Sequence, residues 1–168
     1  MLGLMSGTSM GMGSMVYYLL VYLFTNLAAF GVISNIEDKC GKVGMDDYDG
    51  LYETNPKMAV VMMLAMFSLG GIPPFAGFFS KFFIFASAAQ AGEYLLVFIA
   101  LANTIISLFY YLLVVKAMFI NKSNNPIAPF KSDNASLVGL TICTIAMLVL
   151  GLISPVYEQL LAWSFGVN

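Results

Sequence analysis

The residue best placed to do chemistry is Lys81, an amine set in an apolar segment about two turns past an interruption rich in glycine and proline. An amine takes up and releases protons. An ionisable group within a spanning segment marks an ion or proton pathway by default, because holding it at a helix centre costs about 2.5 to 3.5 kcal/mol. The interruption lies in Ser68 to Phe82, SLGGIPPFAGFFSKF, where Gly70, Gly71, Pro73, Pro74 and Gly77 separate two apolar half-helices. Proline lacks a backbone donor and clashes with the preceding turn, so the helix breaks there. Backbone groups freed at membrane depth are tolerated only within protein or around a water-filled cavity, so the break is expected to face the interior. Asn103 and Ser107 fall four apart on one helix face. They are candidates for a polar path, although the residues by themselves favour a polar packing seam.

The elements that must hold these residues are membrane helices. Hydrophobic residues make up 60% of the chain and charged residues 10%, with a mean hydropathy of +0.88, outside the balance of a soluble domain. The 168 residues leave room for about four spanning helices with short loops. Histidine and arginine are absent, and a net charge of -2 leaves no basic patch for nucleic acid. Cys40 and Cys143 have no CxxC spacing, so no zinc or iron–sulfur site is expected. An independent enzyme lacks a nucleophile with a plausible base.

In chain order, Met1 to Ser14 is too short to span and lacks a basic region and cleavage site. It reads as a disordered or interfacial start, or as part of a helix of something longer. Residues 15–33 form a first crossing, with Asn26 and the small residues Ala28, Ala29 and Gly31 allowing close helix approach. Residues 35–56 read as an acidic loop whose MDDYDG run lacks the spacing of a calcium loop. Residues 57–90 contain the break; as one straight helix they would measure roughly 51 Å against a hydrocarbon core of about 30 Å. A single crossing puts Lys39, Lys42, Lys57, Lys116, Lys122 and Lys131 on one side, whereas a hairpin splits them evenly. Lysine concentrates in cytoplasmic loops, so the single broken crossing is expected, with loops 35–56 and 120–134 cytoplasmic. Helices at 94–119 and 135–154 complete the all-α bundle; Lys116 anchors at the interface, Pro155 disturbs the last helix, and Tyr157, Glu158 and Trp163 read as interfacial.

The stretch GIPPFAGFFSKFFIF resembles the broken helix in the second half of the antiporter-like membrane subunits of respiratory complex I, the NADH-quinone oxidoreductase. YLLVYLFTNLAAFGVI resembles the helix before it, and SLFYYLLVVKAMF fits the helix after it. The resemblance covers essentially the whole chain but only the C-terminal part of such a subunit, whose two inverted repeats each carry one discontinuous helix. It implies a polytopic bundle in which Pro73, Pro74 and Gly77 form the break and Lys81 lies on the proton path. A lysine rather than a glutamate at this place sets aside one sibling type and fits the N-type branch. The implied activity is proton relay through the membrane arm, coupled to electron transfer from NADH to quinone. No redox site is implied on this chain; FMN and iron–sulfur clusters are expected in partner subunits. The implied partners are other membrane and peripheral subunits, the lipid bilayer, and quinone through the complex, in the bacterial inner membrane. The alternatives are a subunit of a multisubunit sodium/proton antiporter and a purely structural assembly subunit.

Overall fold

The computed structural model describes residues 2–5, 9–123 and 125–152, and among them it contains helices and no strand. A short turn of helix, α1 (Leu2–Met5), is followed by α2 (Ser9–Cys40), the spine of the bundle. The helix is longer than the 15–33 stretch that hydropathy marks out, and residues 35–40 belong to it rather than to the loop. At 32 residues it measures about 48 Å, so it outreaches a hydrocarbon core of about 30 Å. Its overhang carries exposed Glu37, Asp38 and Lys39. Gly41 ends it at φ 66°, its amide bonded to the Glu37 carbonyl at 2.8 Å.

Tyr17, Val21, Thr25, Ala28, Val32 and Ile36 recur every three or four residues along α2, and all are buried. Without a hydrophobic drive between helices in lipid, small residues and close packing hold such a seam together. Ala28 and Ala29 sit in the core, and a Cβ on Gly31 would stand 2.9 Å from Leu140 Cδ2 of the last helix. Asn26 donates to the Tyr22 carbonyl of its own helix at 2.7 Å.

After a 3₁₀ turn at Met45–Tyr48 and α3 (Leu51–Thr54), α4 (Pro56–Gly70) enters the bundle. Proline at its first position loses no hydrogen bond and presets the helical φ. α5 (Ala76–Gln90) continues the crossing, α6 (Tyr94–Phe119) returns, and α7 (Asn134–Leu152) packs on α2. Among the described residues, three helices are long and apolar enough to cross a membrane, over Gly11–Cys40, Tyr94–Phe119 and Asn134–Gly151. α4 and α5, with 15 residues each, share the remaining crossing.

The two long loops meet at one end. Gly50 N–H bonds the Ala117 carbonyl at 3.0 Å, Asn121 donates to Asp49 at 2.9 Å, Lys42 to the Asn125 carbonyl at 2.7 Å, and Lys39 pairs with Asp133 at 3.0 Å. The α4–α5 segment therefore crosses once, and every lysine except Lys81 lies at that end. Tyr48 is buried there with its hydroxyl unpartnered, and burial together with the Glu37 and Asp47 charges pushes its phenol above the ordinary value. Pro155, Tyr157, Glu158 and Trp163 lie outside the described residues.

Candidate functional site

The site is built by the way α4 stops. The last four carbonyls of a helix lack intrahelical partners, and in a membrane they must be satisfied by protein. Gly71, at φ 76°, turns the chain back so that its amide bonds the Ser68 carbonyl at 3.0 Å while Ile72 N–H bonds Phe67 at 3.0 Å, a Schellman closure. Of the Leu69 and Gly70 carbonyls that remain, Lys81 Nζ donates to that of Leu69 at 2.7 Å. The lysine stem lies across Gly71, where an added Cβ would stand 3.3 Å from Lys81 Cδ. The ammonium thus caps the negative end of the α4 dipole from within α5. Lys81 is partly buried and, among the described residues, has no carboxylate partner.

Gly77 closes the other half of the break. An alanine Cβ there would stand 2.6 Å from the Ser68 carbonyl carbon and nearer still to its oxygen, so only glycine admits this approach. Gly77 N–H, in the first turn of α5, donates to Ser68 Oγ at 3.3 Å. Thr25 Oγ1 lies 3.1 Å from Ser68 Oγ and donates its proton to the Val21 carbonyl at 2.7 Å. Each hydroxyl has one proton, so Ser68 is left to donate to Thr25. A directed chain results, running from the Gly77 amide through Ser68 and Thr25 to Val21, and it ties α5, α4 and α2 together. Thr25, Ser68 and Ser80 are each 1% exposed, which makes them structural parts of the interior.

A cavity of about 210 Å³ opens beside this chain, lined by Thr25, Ser68, Ser80 and Lys81 on one side and by Asn103, Thr104 and Ser107 of α6 on the other. A second cavity of about 450 Å³ shares Tyr18, Lys81, Asn103 and Thr104 with the first and extends toward α1. Lys81 therefore borders both spaces. Polar walls and this volume suit several waters. Ser107 and Thr104 each bond a carbonyl one turn earlier in α6, at 2.9 Å, leaving their oxygens' acceptor capacity toward the cavity.

The structure thus gathers Lys81, Asn103 and Ser107, from two helices, around one space. Gly70 and Gly77 are buried at the break, Gly71 caps α4, and Pro73 and Pro74 form its tip through a cis peptide bond. Both prolines are exposed on this chain, and the glycine side of the break packs within it. Thr25, Ser80, Thr104 and Tyr18 were not singled out from sequence. Thr25 had a readable sign, standing in register with Val21 and Ala28 on the seam of α2.

Comparison with known proteins adds to this geometry. Residues 1–107 match the family model described as NADH:quinone oxidoreductase/Mrp antiporter, transmembrane. NADH-quinone oxidoreductase subunit N of Phocaeicola vulgatus is 56% identical over 161 residues, covering 95% of this chain and 34% of that protein. The subunit N of Azobacteroides pseudotrichonymphae is 54% identical, over 99% of this chain and 35% of its own length. NAD(P)H-quinone oxidoreductase subunit 2 of Synechococcus elongatus is 39% identical, over 92% and 32%. A chain of respiratory complex I from Thermus thermophilus, solved with bound Aureothin, superposes with a TM-score of 0.80 at 31% identity, over 95% of this chain and 36% of that one. The chain spans about a third of the length of these relatives.

Proposed function

The chain belongs to the NADH:quinone oxidoreductase/Mrp antiporter transmembrane family, and from that premise we propose that it supplies the second broken helix of a proton-translocating subunit of NADH-quinone oxidoreductase, with Lys81 as the proton carrier. The observation that carries this reading is the hydrogen bond from Lys81 to the Leu69 carbonyl, at the edge of two cavities. Two influences oppose each other at Nζ. The carbonyl end of α4 stabilises the ammonium, while the apolar surroundings disfavour any charge. Hydration of the cavity then decides occupancy. Hydration favours the ammonium, so the amine takes one proton from one side when water fills the cavity; as the cavity dries, that proton leaves along the water chain to the opposite side and the cycle closes with one proton moved.

Asn103 and Ser107 extend the polar path on α6, and the Thr25–Ser68 pair holds the two half-helices in the geometry that places Nζ. Quinone reduction occurs elsewhere in the complex, with FMN and iron–sulfur clusters in partner subunits, and changes the charge or hydration around Lys81. The chain resides in a bacterial inner membrane with its two long loops on the cytoplasmic side.

Lys81→Met tests the reading. It keeps the stem and packing but removes the titratable group, so in the assembled complex quinone-reductase turnover and proton pumping fall together. Lys81→Arg is impaired as well, because guanidinium does not release its proton. Lys122→Met behaves as wild type. Normal pumping by an assembled Lys81→Met complex refutes the relay role. Sodium–proton exchange without NADH oxidation by the wild-type assembly would move the chain to the antiporter branch.

A further inference from the structure

At the loop end of the bundle, away from Lys81, a cavity of about 430 Å³ lies between the starts of α4 and α7. Asn55 builds it. Its amide group donates to the Ala128 carbonyl at 3.2 Å and its oxygen accepts from Phe130 N–H at 3.2 Å, which draws the segment after α6 against the first turn of α4. Lys131 and Ser132 are thereby set beside Lys57 in the cavity wall. Because Asn55 is spent on the loop, no side chain caps α4, and neither α4 nor α7 carries an acidic residue in its first turn. The nearest carboxylate in sequence, Asp133, is paired with Lys39 at 3.0 Å. Ser132 Oγ is buried and has no hydrogen-bond partner. The cavity thus combines two lysine charges, α4 amides without a side-chain cap and an unused hydroxyl, with Met58, Phe130 and Leu137 as its apolar floor.

We propose that this cavity binds the phosphodiester headgroup of an anionic phospholipid. Two cations and a free hydroxyl match a phosphodiester oxygen pair. The α4 amides, with no acidic residue in that first turn, favour an anion. The apolar floor accepts the glycerol backbone, and that feature selects a lipid over free phosphate. The site lies where α4 and α7 start, at the end of the bundle that carries the two long loops.

The test uses the complex purified in mild detergent and placed in nanodiscs containing a photoreactive phosphatidylglycerol, with crosslinks mapped by mass spectrometry. Labelling is expected within residues 126–137. In Lys57→Gln/Lys131→Gln the phosphatidylglycerol concentration giving half-maximal labelling rises about thirtyfold, the effect of removing two lysine charges beside an anionic headgroup. Ser132→Ala raises it by a smaller factor, and Lys116→Gln/Lys122→Gln, at the same end but outside the cavity, leaves it unchanged. A photoreactive phosphatidylcholine labels these residues only at background. Unchanged labelling in Lys57→Gln/Lys131→Gln, with thermal stability retained, overturns the proposal, as does equal labelling by phosphatidylcholine. Displacement by millimolar inorganic phosphate would reassign the cavity to a free anion and equally overturn it.

Discussion

Gly77→Ala is the substitution that the helix break should tolerate least. The new Cβ would stand 2.6 Å from the Ser68 carbonyl carbon, against about 3.4 Å for ordinary contact, and the obstacle is backbone that cannot rotate away. Because the carbonyl oxygen stands nearer still, the start of α5 must retreat by more than about 1 Å. Overpacking of this kind costs about 1–3 kcal/mol. The Gly77 amide bond to Ser68, already 3.3 Å long, is lost as well, adding about 1 kcal/mol. The retreat also carries Lys81 away from the Leu69 carbonyl, now 2.7 Å from Nζ. A displacement near 1 Å at a reacting group lowers rate by about a hundredfold. The assay is quinone-reductase turnover and dye-reported proton pumping of the purified complex, with its thermal midpoint measured in parallel. The control is Gly139→Ala, in α7, where an added Cβ meets nothing within 4 Å and alanine only raises helix propensity. A Gly77→Ala complex as stable and as active as Gly139→Ala would refute the close-approach argument.

Ser68→Ala removes the middle of the hydroxyl chain, leaving Gly77 N–H and Thr25 Oγ1 without their partner; we expect a loss of about 2 kcal/mol by thermal or denaturant unfolding, with Ser68→Thr partly restoring stability. In a background lacking Cys40 and Cys143, Asp46→Cys and Lys122→Cys are shielded together from an impermeant external thiol reagent, whereas Ala91→Cys is labelled; opposite behaviour of the first two would contradict the shared end that the loop contacts define. Tyr48→Phe deletes a buried hydroxyl that has no partner, so it is neutral or stabilising. The Tyr48 phenol is raised above 10.0 by burial first and by Glu37 and Asp47 second. Its neutral form therefore stabilises the fold fully below pH 10.0, and that share is lost as pH rises through the folded value. The late part of a phenolate absorbance titration should be smaller by one tyrosine in Tyr48→Phe than in the wild type.

The membrane class, the break and the apolar setting of Lys81 were legible from sequence because each has a local cause. Proline and glycine interrupt a helix whatever surrounds them, and a lone amine in an apolar run stands out on hydropathy alone. The six outlying lysines likewise indicated one crossing, which the loop hydrogen bonds then realised. Helix ends were less legible. Hydropathy reports the thickness of lipid, not where a helix stops, so the polar overhang of α2 up to Cys40 read as loop although Gly41 stood there as a C-terminal stop. Only the tertiary structure decided what Lys81 touches. Its bond to Leu69, the Thr25–Ser68 pair and the packing of Gly77 on Ser68 join residues 9 to 43 positions apart. A periodicity of three or four residues shows which face of a helix is buried; it does not show which atom of another helix meets it, and that depends on how the broken half-helices are offset against α2.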